Sequence, residues 1–379
     1  MIVYFDNAAT TALEEEVVQA MLPYLTEHYG NPSTLYSLGR TTRAAIEEAR
    51  KTMAKLINAQ PGEITFTSSA TEANNTVLKG AVLYAGVERI ITSPTEHHCV
   101  GHTVEFCRDY LHTEVEYVRV DKNGNADLEH LSQLLAASDK KTLVSLMHAN
   151  NEIGTMLDIE QAGNICRQYG ALFHSDTVQT FAHFPIDVQQ LPVDFIVGSA
   201  HKFHGPKGIG FLYMRKQSKV ASFIHGGGQE RGMRAGTENV AGIVGMATAA
   251  KKAYDHLEAD KAHILSVKNY FKESLLSTLE DIDFNGNTDD RSLYTVLNVS
   301  FPPSDKSALL LFLLDLAGIC CSGGSACGSG AAAGSHVIQA LGKDPDRVSI
   351  RFSFSKYNTR EEVDIVMEKL KETFASRKE

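Results

Sequence analysis

Lys202 is the residue whose surroundings point most directly to covalent chemistry. It stands in the segment Ser199 to Gly208, which directly follows the apolar run Phe195-Ile196-Val197 typical of a buried strand. A lysine held in a turn rich in glycine and proline between buried strands is expected to be partly desolvated. Desolvation lowers the pKa of the amine and makes it a usable nucleophile for Schiff-base chemistry. Most lysines lie at the surface, so this segment alone leaves an exposed loop lysine as the alternative.

A second candidate is an acid at the end of another predicted strand. Asp176 closes the run that begins at Ala171, and the amide of Gln179 follows three residues later. An aspartate on a strand beside the Lys202 strand would keep a pyridine nitrogen protonated, which pyridoxal phosphate requires to act as an electron sink. Taken alone, Asp176 is also explained as the N-cap of a helix.

A phosphate cradle is predicted in the segment Thr65 to Asn74. It combines a strand, a turn of small hydroxyl residues and the start of a helix at Ala70 and Thr71. Backbone N–H groups at a helix N-terminus suit a phosphate group. The spacing of a P-loop is absent, which removes the best support for nucleotide hydrolysis. The alternative is an ordinary capped helix.

His97 follows the predicted strand Arg89-Thr92 and could stack on a planar cofactor and move protons. Metal binding is the alternative, because His98 and His102 have i, i+4 spacing and Cys99 lies beside them. Zinc is disfavoured, because no third ligand is close by and the cysteines form no CxxC pair.

Cys327 is the candidate reactive thiol. It stands in segment 321–335, which consists almost entirely of small residues and is expected to form a mobile loop that leaves the thiol accessible. The other cysteines are predicted to be structural. Cys99, Cys107 and Cys166 are assigned to the core, and Cys320 and Cys321 to a strand end.

Composition limits the functional classes. The chain has 379 residues, 43% hydrophobic and 22% charged, with a net charge of −10, as in a globular protein with a sizeable core. No basic block indicates nucleic-acid binding. The N-terminus does not resemble a signal peptide, and the longest apolar run, Ala308 to Leu314, is too short to cross a membrane. Six scattered cysteines favour a reducing, cytoplasmic location.

The elements that position these residues alternate between strand and helix. Helical spacing predicts an amphipathic helix over residues 41–58, a long charged helix from Ala247 to Leu279 and an apolar helix over 305–317. Apolar runs predict buried strands at Ile64-Phe66, Arg89-Thr92, Leu143-Met147, Ala171-His174, Phe195-Val197, Gly210-Tyr213 and Thr295-Phe301, and a final strand and helix span 348–374. We therefore predict an α/β fold, with a large domain built on a mostly parallel sheet flanked by helices and a smaller α+β domain.

Several segments occur together in the order of one family. They are Tyr4 to Thr11, Gly30 to Ser33, Ala70 to Glu72, Thr95 to His97, Asn150 to Gly154, Ser199 to Gly208, Gly226 to Asn239 and Ser325 to Cys327. With them the chain resembles, from end to end, the cysteine desulfurases of the class-V aminotransferase superfamily, which are fold type I pyridoxal-phosphate enzymes. The resemblance implies an arm over residues 1–15 that joins the small domain, a cofactor-binding domain over 16–250 and a small domain over 251–379.

The resemblance also implies roles for individual residues. Lys202 would carry pyridoxal phosphate as a Schiff base and Cys327 would be the sulfur acceptor, while His97 would stack on the ring. The remaining cofactor contacts would come from Ala70, Thr71, Asn151, Asp176, Gln179, Ser199 and His201, with Thr237 reaching the phosphate of the partner subunit in a homodimer. Substrate would be bound by Arg351, Asn151 and, more weakly, Asn31.

The implied reaction converts L-cysteine to L-alanine. The thiolate of Cys327 takes the sulfur as a persulfide and passes it to an acceptor for iron–sulfur cluster assembly, such as a scaffold protein, or for thiolation. Cys327 is also a possible ligand of an iron–sulfur cluster shared with that partner. A selenocysteine lyase or an aminotransferase on the same scaffold is one alternative, although an aminotransferase has no need of the thiol. A non-catalytic sulfur-carrier or assembly scaffold is the other, although it would have no need of a Schiff-base lysine. Residues 328–335 depart from the family's usual pattern after the cysteine.

Overall fold

The computed structural model describes residues 2–218, 220–323 and 334–374. Cys327 and most of the predicted cysteine loop therefore lie outside the described residues. The helices are α1 Glu15–Thr26, α2 Ser37–Leu56, α3 Ala70–Ala85, α4 His98–Leu111, α5 Leu128–Ala136, α6 Ile159–Gln168, α7 Val240–Asp255, α8 Leu257–Thr278, α9 Asp305–Ala308, α10 Leu310–Leu316, α11 His336–Ala340 and α12 Arg360–Phe374. The strands are β1 Val3–Tyr4, β2 Ile64–Thr67, β3 Arg89–Thr92, β4 Glu114–Tyr117, β5 Thr142–Ser145, β6 Leu172–Asp176, β7 Phe195–Ser199, β8 Gly210–Met214, β9 Asp283–Asn285, β10 Val296–Phe301, β11 Ile319–Cys320 and β12 Val348–Ser353.

A seven-stranded sheet with the order β2-β8-β7-β6-β5-β3-β4 forms the centre of the fold. Neighbours from β4 to β7 pair in parallel, whereas β8 runs antiparallel to both β7 and β2. Every residue of β3, β5 and β7 is buried, as expected for strands covered by helices on both faces. The predicted α/β fold with a mostly parallel sheet is confirmed.

The edge strand β4 has no counterpart among the predicted strands. Its residues, Glu114 to Tyr117, are half-buried or exposed and include two glutamates, so the segment lacks the continuous apolar run that marked the others. Charged side chains on an edge strand discourage pairing with further chains. The two glutamates that protect this edge therefore also explain why the sequence pattern did not predict the strand.

A second, smaller sheet has the antiparallel order β12-β10-β9. Its core contains Phe5, Phe271, Phe352 and Phe354, and the ring of Phe5 lies 5.2 Å from that of Phe354. The short strand β1 pairs in parallel with β11. The beginning of the chain thus packs against the C-terminal region, and this contact brings residues 6–9 to the large sheet's edge. The domain boundaries at 15 and 250 remain predictions.

Two predicted helices are wrong as continuous elements. The helix expected from Ala247 to Leu279 is divided at His256 into α7 and α8. Met246 of α7 packs in the core beside the large sheet, whereas Phe271 of α8 packs in the core of the small sheet. The backbone of His256, with φ −112° and ψ 7°, lies outside the helical region, so the regular helix ends there and begins again at Leu257. The helix expected over 305–317 is likewise two short helices, α9 and α10. Across the described ranges, no helix combines the length and the apolar character needed to cross a bilayer.

Candidate active site

A cavity of about 200 Å³ lies beyond the carboxyl ends of β6 and β7. Open α/β sheets bind ligands at this edge, because the strand-to-helix connections there diverge and leave a crevice. The cavity is lined by Ala8, Ala9, Ser69, Ala70, Thr71, His97, Cys99, Met147, Asn151, Asp176, Val178, Gln179, Ser199, His201, Lys202 and Arg351. Most of the residues singled out in the sequence are therefore brought together here.

Lys202 ends a short 3₁₀ turn, Ala200–Lys202, that directly follows β7. The turn carries the side chain into the cavity, where the residue is half-buried. Its Nζ donates hydrogen bonds to the carbonyl oxygens of Ala8 at 2.6 Å and Ala9 at 2.8 Å. The amine is therefore held at the cavity wall by the N-terminal segment, a contact that the sequence pattern did not reveal.

Asp176 ends β6, and β6 pairs in parallel with β7, so the acid and the lysine lie on neighbouring strands as predicted. Both carboxylate oxygens are oriented by donors. Nδ2 of Asn74 donates to Oδ2 at 2.8 Å, and the amide of Val178 donates to Oδ1 at 2.9 Å. Asn74 was missed by sequence reasoning, although a fully buried asparagine within a helix always needs a polar partner.

The start of α3 faces the same cavity. The Ser69 hydroxyl accepts from the amide of Glu72 at 3.3 Å, so the predicted capped helix is present. The amides of Ala70 and Thr71 are the next groups at this N-terminus, where the helix dipole favours an anion. A Cβ added to Gly210 would lie 2.7 Å from the carbonyl carbon of Ser69, so only glycine lets β8 approach the helix start this closely.

His201 lies beside the same helix start and carries no charge near neutral pH. Burial, with the neighbouring charges of Lys202 and Lys207, lowers the pKa of its imidazole to about 4. Its Nδ1 lies 3.2 Å from the hydroxyl oxygen of Thr10. The ring can therefore offer an anion a hydrogen bond but not a positive charge.

His97 is the N-cap of α4, and its Nδ1 accepts from the amide of Cys99 at 3.2 Å. Burial lowers the pKa of His97, and the opposing attraction of Asp176 does not reverse this shift. The thiol of Cys99 lies 3.0 Å from the same nitrogen, and burial raises its pKa to about 12. Cys99 thus packs against the core, as the sequence predicted, and also lines the cavity as a protonated thiol.

The alternative hypothesis is that this helix carries a metal site. The structure places one more histidine beside the helix, but the side chains are not arranged as metal ligands. The ring of His98 lies 5.2 Å from that of His102 and 4.5 Å from that of His336. Among the residues that the structure describes, no group of three or more histidine, cysteine or acidic side chains is arranged to hold a metal ion.

Arg351 reaches the cavity from β12 of the small sheet. Its Nη2 donates to Oδ1 of Asp6 at 2.6 Å, and its Nη1 donates to the carbonyl oxygen of Asn151 at 2.9 Å. The buried Nε has no hydrogen-bond partner in the described part of the chain. A guanidinium oriented on two sides, with one buried donor unused, suits a carboxylate ligand.

Gln179 also lines the cavity, where its Nε2 donates to the carbonyl oxygen of Ala8 at 3.1 Å. Two predicted residues are not brought there within this chain. Asn31 is exposed, and its side-chain oxygen accepts from the amide of Ser33 at 2.9 Å. Thr237 lines a separate cavity of about 190 Å³ together with Arg234.

Comparison with known proteins identifies the family of this chain. Residues 3–366 match the family model described as aminotransferase class-V. A cysteine desulfurase IscS of Dictyoglomus turgidum is 42% identical over 372 residues, covering 97% of this chain and 93% of the relative.

Solved structures agree with this match. A NifS-like protein superposes with a TM-score of 0.90 at 38% identity, covering 98% of this chain and 99% of that one. The SspA protein in complex with cysteine gives a TM-score of 0.81 at 32% identity, covering 94% and 99% of the two chains. This chain belongs to the class-V aminotransferase family and, within it, to the cysteine desulfurases.

Proposed function

We propose that this protein converts L-cysteine to L-alanine with pyridoxal phosphate as its cofactor and receives the sulfur as a persulfide on Cys327. The observation that carries the proposal is the cavity in which Lys202, Asp176 and His97 meet Arg351. Asp176 ends a strand of the large sheet, Lys202 and His97 lie on the connections that follow two other strands of that sheet, and Arg351 comes from the small sheet. The cysteine bound by the similar SspA protein supports the choice of substrate.

The residues present fit pyridoxal phosphate. The carboxylate of Asp176 is held by two donors and is buried, which suits a bond to a protonated ring nitrogen. The start of α3 offers amides to the phosphate, and Lys202 supplies the amine. His97, largely desolvated and with a lowered pKa, suits contact with an aromatic ring. When bound, this cofactor supplies an electron sink that stabilises negative charge at the substrate Cα.

The protein's own groups then have distinct tasks. Arg351 and Asn151 bind the substrate carboxylate, which orients the amino acid in the cavity. The amine of Lys202 accepts the Cα proton as a general base. The thiolate of Cys327 attacks the substrate sulfur, so that an S–S bond forms as the Cβ–S bond breaks. The Cβ released from sulfur takes up a proton, the Cα regains one from the protonated amine of Lys202, and the product leaves as alanine.

Three finer assignments belong to the same proposal. A homodimer is supported by Thr237, which lies in a second cavity of its own chain and would serve the phosphate of the partner subunit. The sulfur acceptor is proposed to be a protein of iron–sulfur cluster assembly, as the resemblance to the cysteine desulfurases implies. A cytoplasmic location is inferred from the sparse cysteine content, which is typical of proteins in a reducing compartment.

The test is to measure alanine formed from L-cysteine with a thiol reductant, comparing the wild type with Cys327→Ala. We expect alanine from the wild type and almost none from the variant, while the cofactor absorbance of the variant is unchanged. Cys99→Ala is the matched control, because it removes a thiol that lines the cavity and is protonated. Equal alanine from the wild type and Cys327→Ala would contradict the role of Cys327 and would point to a lyase acting on another substrate.

A further inference from the structure

A histidine outside the main cavity contacts the main chain of Lys202. Nε2 of His183 lies 3.3 Å from the carbonyl oxygen of Lys202, and its Nδ1 lies 3.3 Å from the hydroxyl of Tyr294. The Tyr294 hydroxyl also lies 3.1 Å from the carbonyl oxygen of His183. Tyr294 stands just before β10 of the small sheet, so His183 joins the lysine turn to the C-terminal region.

The contacts determine which nitrogen carries the proton. A carbonyl oxygen can only accept, so Nε2 of His183 must donate to Lys202. Burial lowers the pKa of His183 to about 4; the Lys202 carbonyl opposes this shift, and the charges of His204 and Lys356 add to it. The ring is therefore neutral near pH 7, and its Nδ1 can only accept. The single proton of the Tyr294 hydroxyl faces two acceptors of His183, the carbonyl oxygen at 3.1 Å and Nδ1 at 3.3 Å.

The backbone before His183 is strained. Ala182 has φ +65°, a left-handed conformation that residues with a Cβ rarely adopt, and it lies buried in the core. Such a conformation persists only where surrounding packing imposes it. Here it sets the direction in which the next residue, His183, leaves the chain.

The lysine turn also has free space beside it. A small cavity of about 30 Å³ is lined by His183, Lys202 and Tyr294, among others. Such a volume holds about one or two water molecules, so close packing alone does not hold the turn on this side. The hydrogen bond from His183 holds the turn at the Lys202 carbonyl, whereas Thr11 holds it at the carbonyl oxygen of His201.

We propose that His183 is a positioning residue for Lys202, holding the lysine carbonyl through Nε2–H while the Tyr294 hydroxyl holds His183 at its carbonyl oxygen and Nδ1. The inference rests on the proposed function, in which the Lys202 amine moves the Cα proton. His183 does not line the main cavity, so it acts through Lys202 and not on the substrate. Binding of the substrate carboxylate, which is assigned to Arg351 and Asn151, would not depend on it.

The experiment compares holoenzymes carrying His183→Phe, His183→Gln and Tyr294→Phe with the wild type. Phenylalanine keeps a planar ring without the donor, whereas the amide of glutamine can replace Nε2–H. We expect His183→Phe to lower kcat about tenfold or more with KM for L-cysteine within about twofold, because small misplacements of a reacting group are costly. Glutamine should restore most of the loss. Ala182→Gly is the control, because it relieves the strain and leaves the imidazole in place.

A second readout does not depend on turnover. The pH dependence of the visible absorbance of the lysine-bound cofactor reports the surroundings of the Lys202 nitrogen, and it should shift in His183→Phe and return toward the wild type in His183→Gln. Wild-type kcat and absorbance titration in His183→Phe would overturn the inference. Equal impairment of the Phe and Gln variants at wild-type Tm would do so too.

Two further outcomes are decided in advance. If His183→Phe does not fold, Tyr294→Phe decides: a lower kcat at unchanged Tm supports the role, and unchanged kcat with an unchanged absorbance titration overturns it. If the wild type makes no alanine from L-cysteine, the proposed function fails, and the absorbance titration still decides whether His183 positions Lys202.

Discussion

Arg351 and Asp6 form a 2.6 Å ion pair between Nη2 and Oδ1 at the wall of the cavity. The guanidinium comes from β12, and the carboxylate comes from the N-terminal segment that also accepts hydrogen bonds from Lys202. Residues 6–9 thus contact both Lys202, the proposed base, and Arg351, which is proposed to bind the substrate carboxylate. The two groups are held at a defined spacing before substrate arrives.

Replacing this arginine should weaken substrate binding. We expect Arg351→Lys to raise KM for L-cysteine by about tenfold or more, because an ammonium cannot reproduce the planar fork that binds a carboxylate and Asp6 together. Steady-state kinetics provide the measurement. Arg347→Lys is the matched control, because Arg347 lies just before β12 and bonds to Asp281 and Ser300 instead of the cavity. An unchanged KM in Arg351→Lys would remove Arg351 from the substrate site.

Removing the amine of Lys202 should stop turnover. Lys202→Ala deletes both the covalent attachment and the proton acceptor, so we expect no steady production of alanine and no fixation of the cofactor by borohydride. The exposed Lys207 lies in the same segment, and Lys207→Ala is expected to keep both properties. Sustained multiple turnover by Lys202→Ala would contradict the assignment.

A buried lysine away from the cavity predicts how stability depends on pH. Burial lowers the pKa of Lys268 to about 7, with the nearby charge of Lys272 contributing, and its Nζ donates to Ser292 and to the carbonyl of Leu293. Between pH 7 and about 10 the unfolded chain holds a proton on this amine that the folded chain has released. The free energy of unfolding should therefore rise with pH across this window.

The size of that rise is measurable. From pH 7 to pH 9 the contribution of Lys268 is about 2 kcal/mol, and Lys268→Met should remove this part of the slope. Urea unfolding at the two pH values measures it. Lys272→Met is the control, because it removes a charge from the same helix without removing the buried amine. Parallel pH profiles for the wild type and Lys268→Met would show that the folded chain keeps this lysine charged.

A buried ion pair holds the turn that precedes Thr237. Arg50 donates to both oxygens of Glu230 at 2.7 and 2.8 Å, and the amide of Phe66 donates to the same carboxylate at 2.8 Å. Glu230→Gln removes the buried counter-charge and leaves Arg50 with only the partly exposed Glu47 at 3.4 Å, so we expect the free energy of unfolding to fall by about 3–5 kcal/mol.

The control for this prediction is an exposed pair. Asp255→Asn breaks the surface contact with Lys251 and should cost less than about 1 kcal/mol. Chemical denaturation of both variants gives the comparison. Similar losses for the two variants would mean that burial of the Arg50–Glu230 pair carries no special stability.

Much of the fold could be read from local patterns. The apolar runs of β3, β5 and β7 are buried on both faces, and such strands need no partner information to be recognised. Edge strand β4 was not predicted, because its solvent-facing positions carry charged side chains and it therefore has no apolar run. The break between α7 and α8 was not predicted, because helical periodicity continues on either side of it. Neither segment indicates by itself which of the two cores its helix packs against.

The candidate site divides in the same way. The sequence by itself determined which residue types stand at the ends of the strands, Lys202 and Asp176 among them, because motif order and strand periodicity are local properties. Only the tertiary structure decided that Asn74 orients Asp176 and that His183 meets Lys202. It also decided that Arg351 meets Asp6 across 345 positions of sequence. Such contacts depend on strand order and on the packing of two sheets, which no single segment specifies.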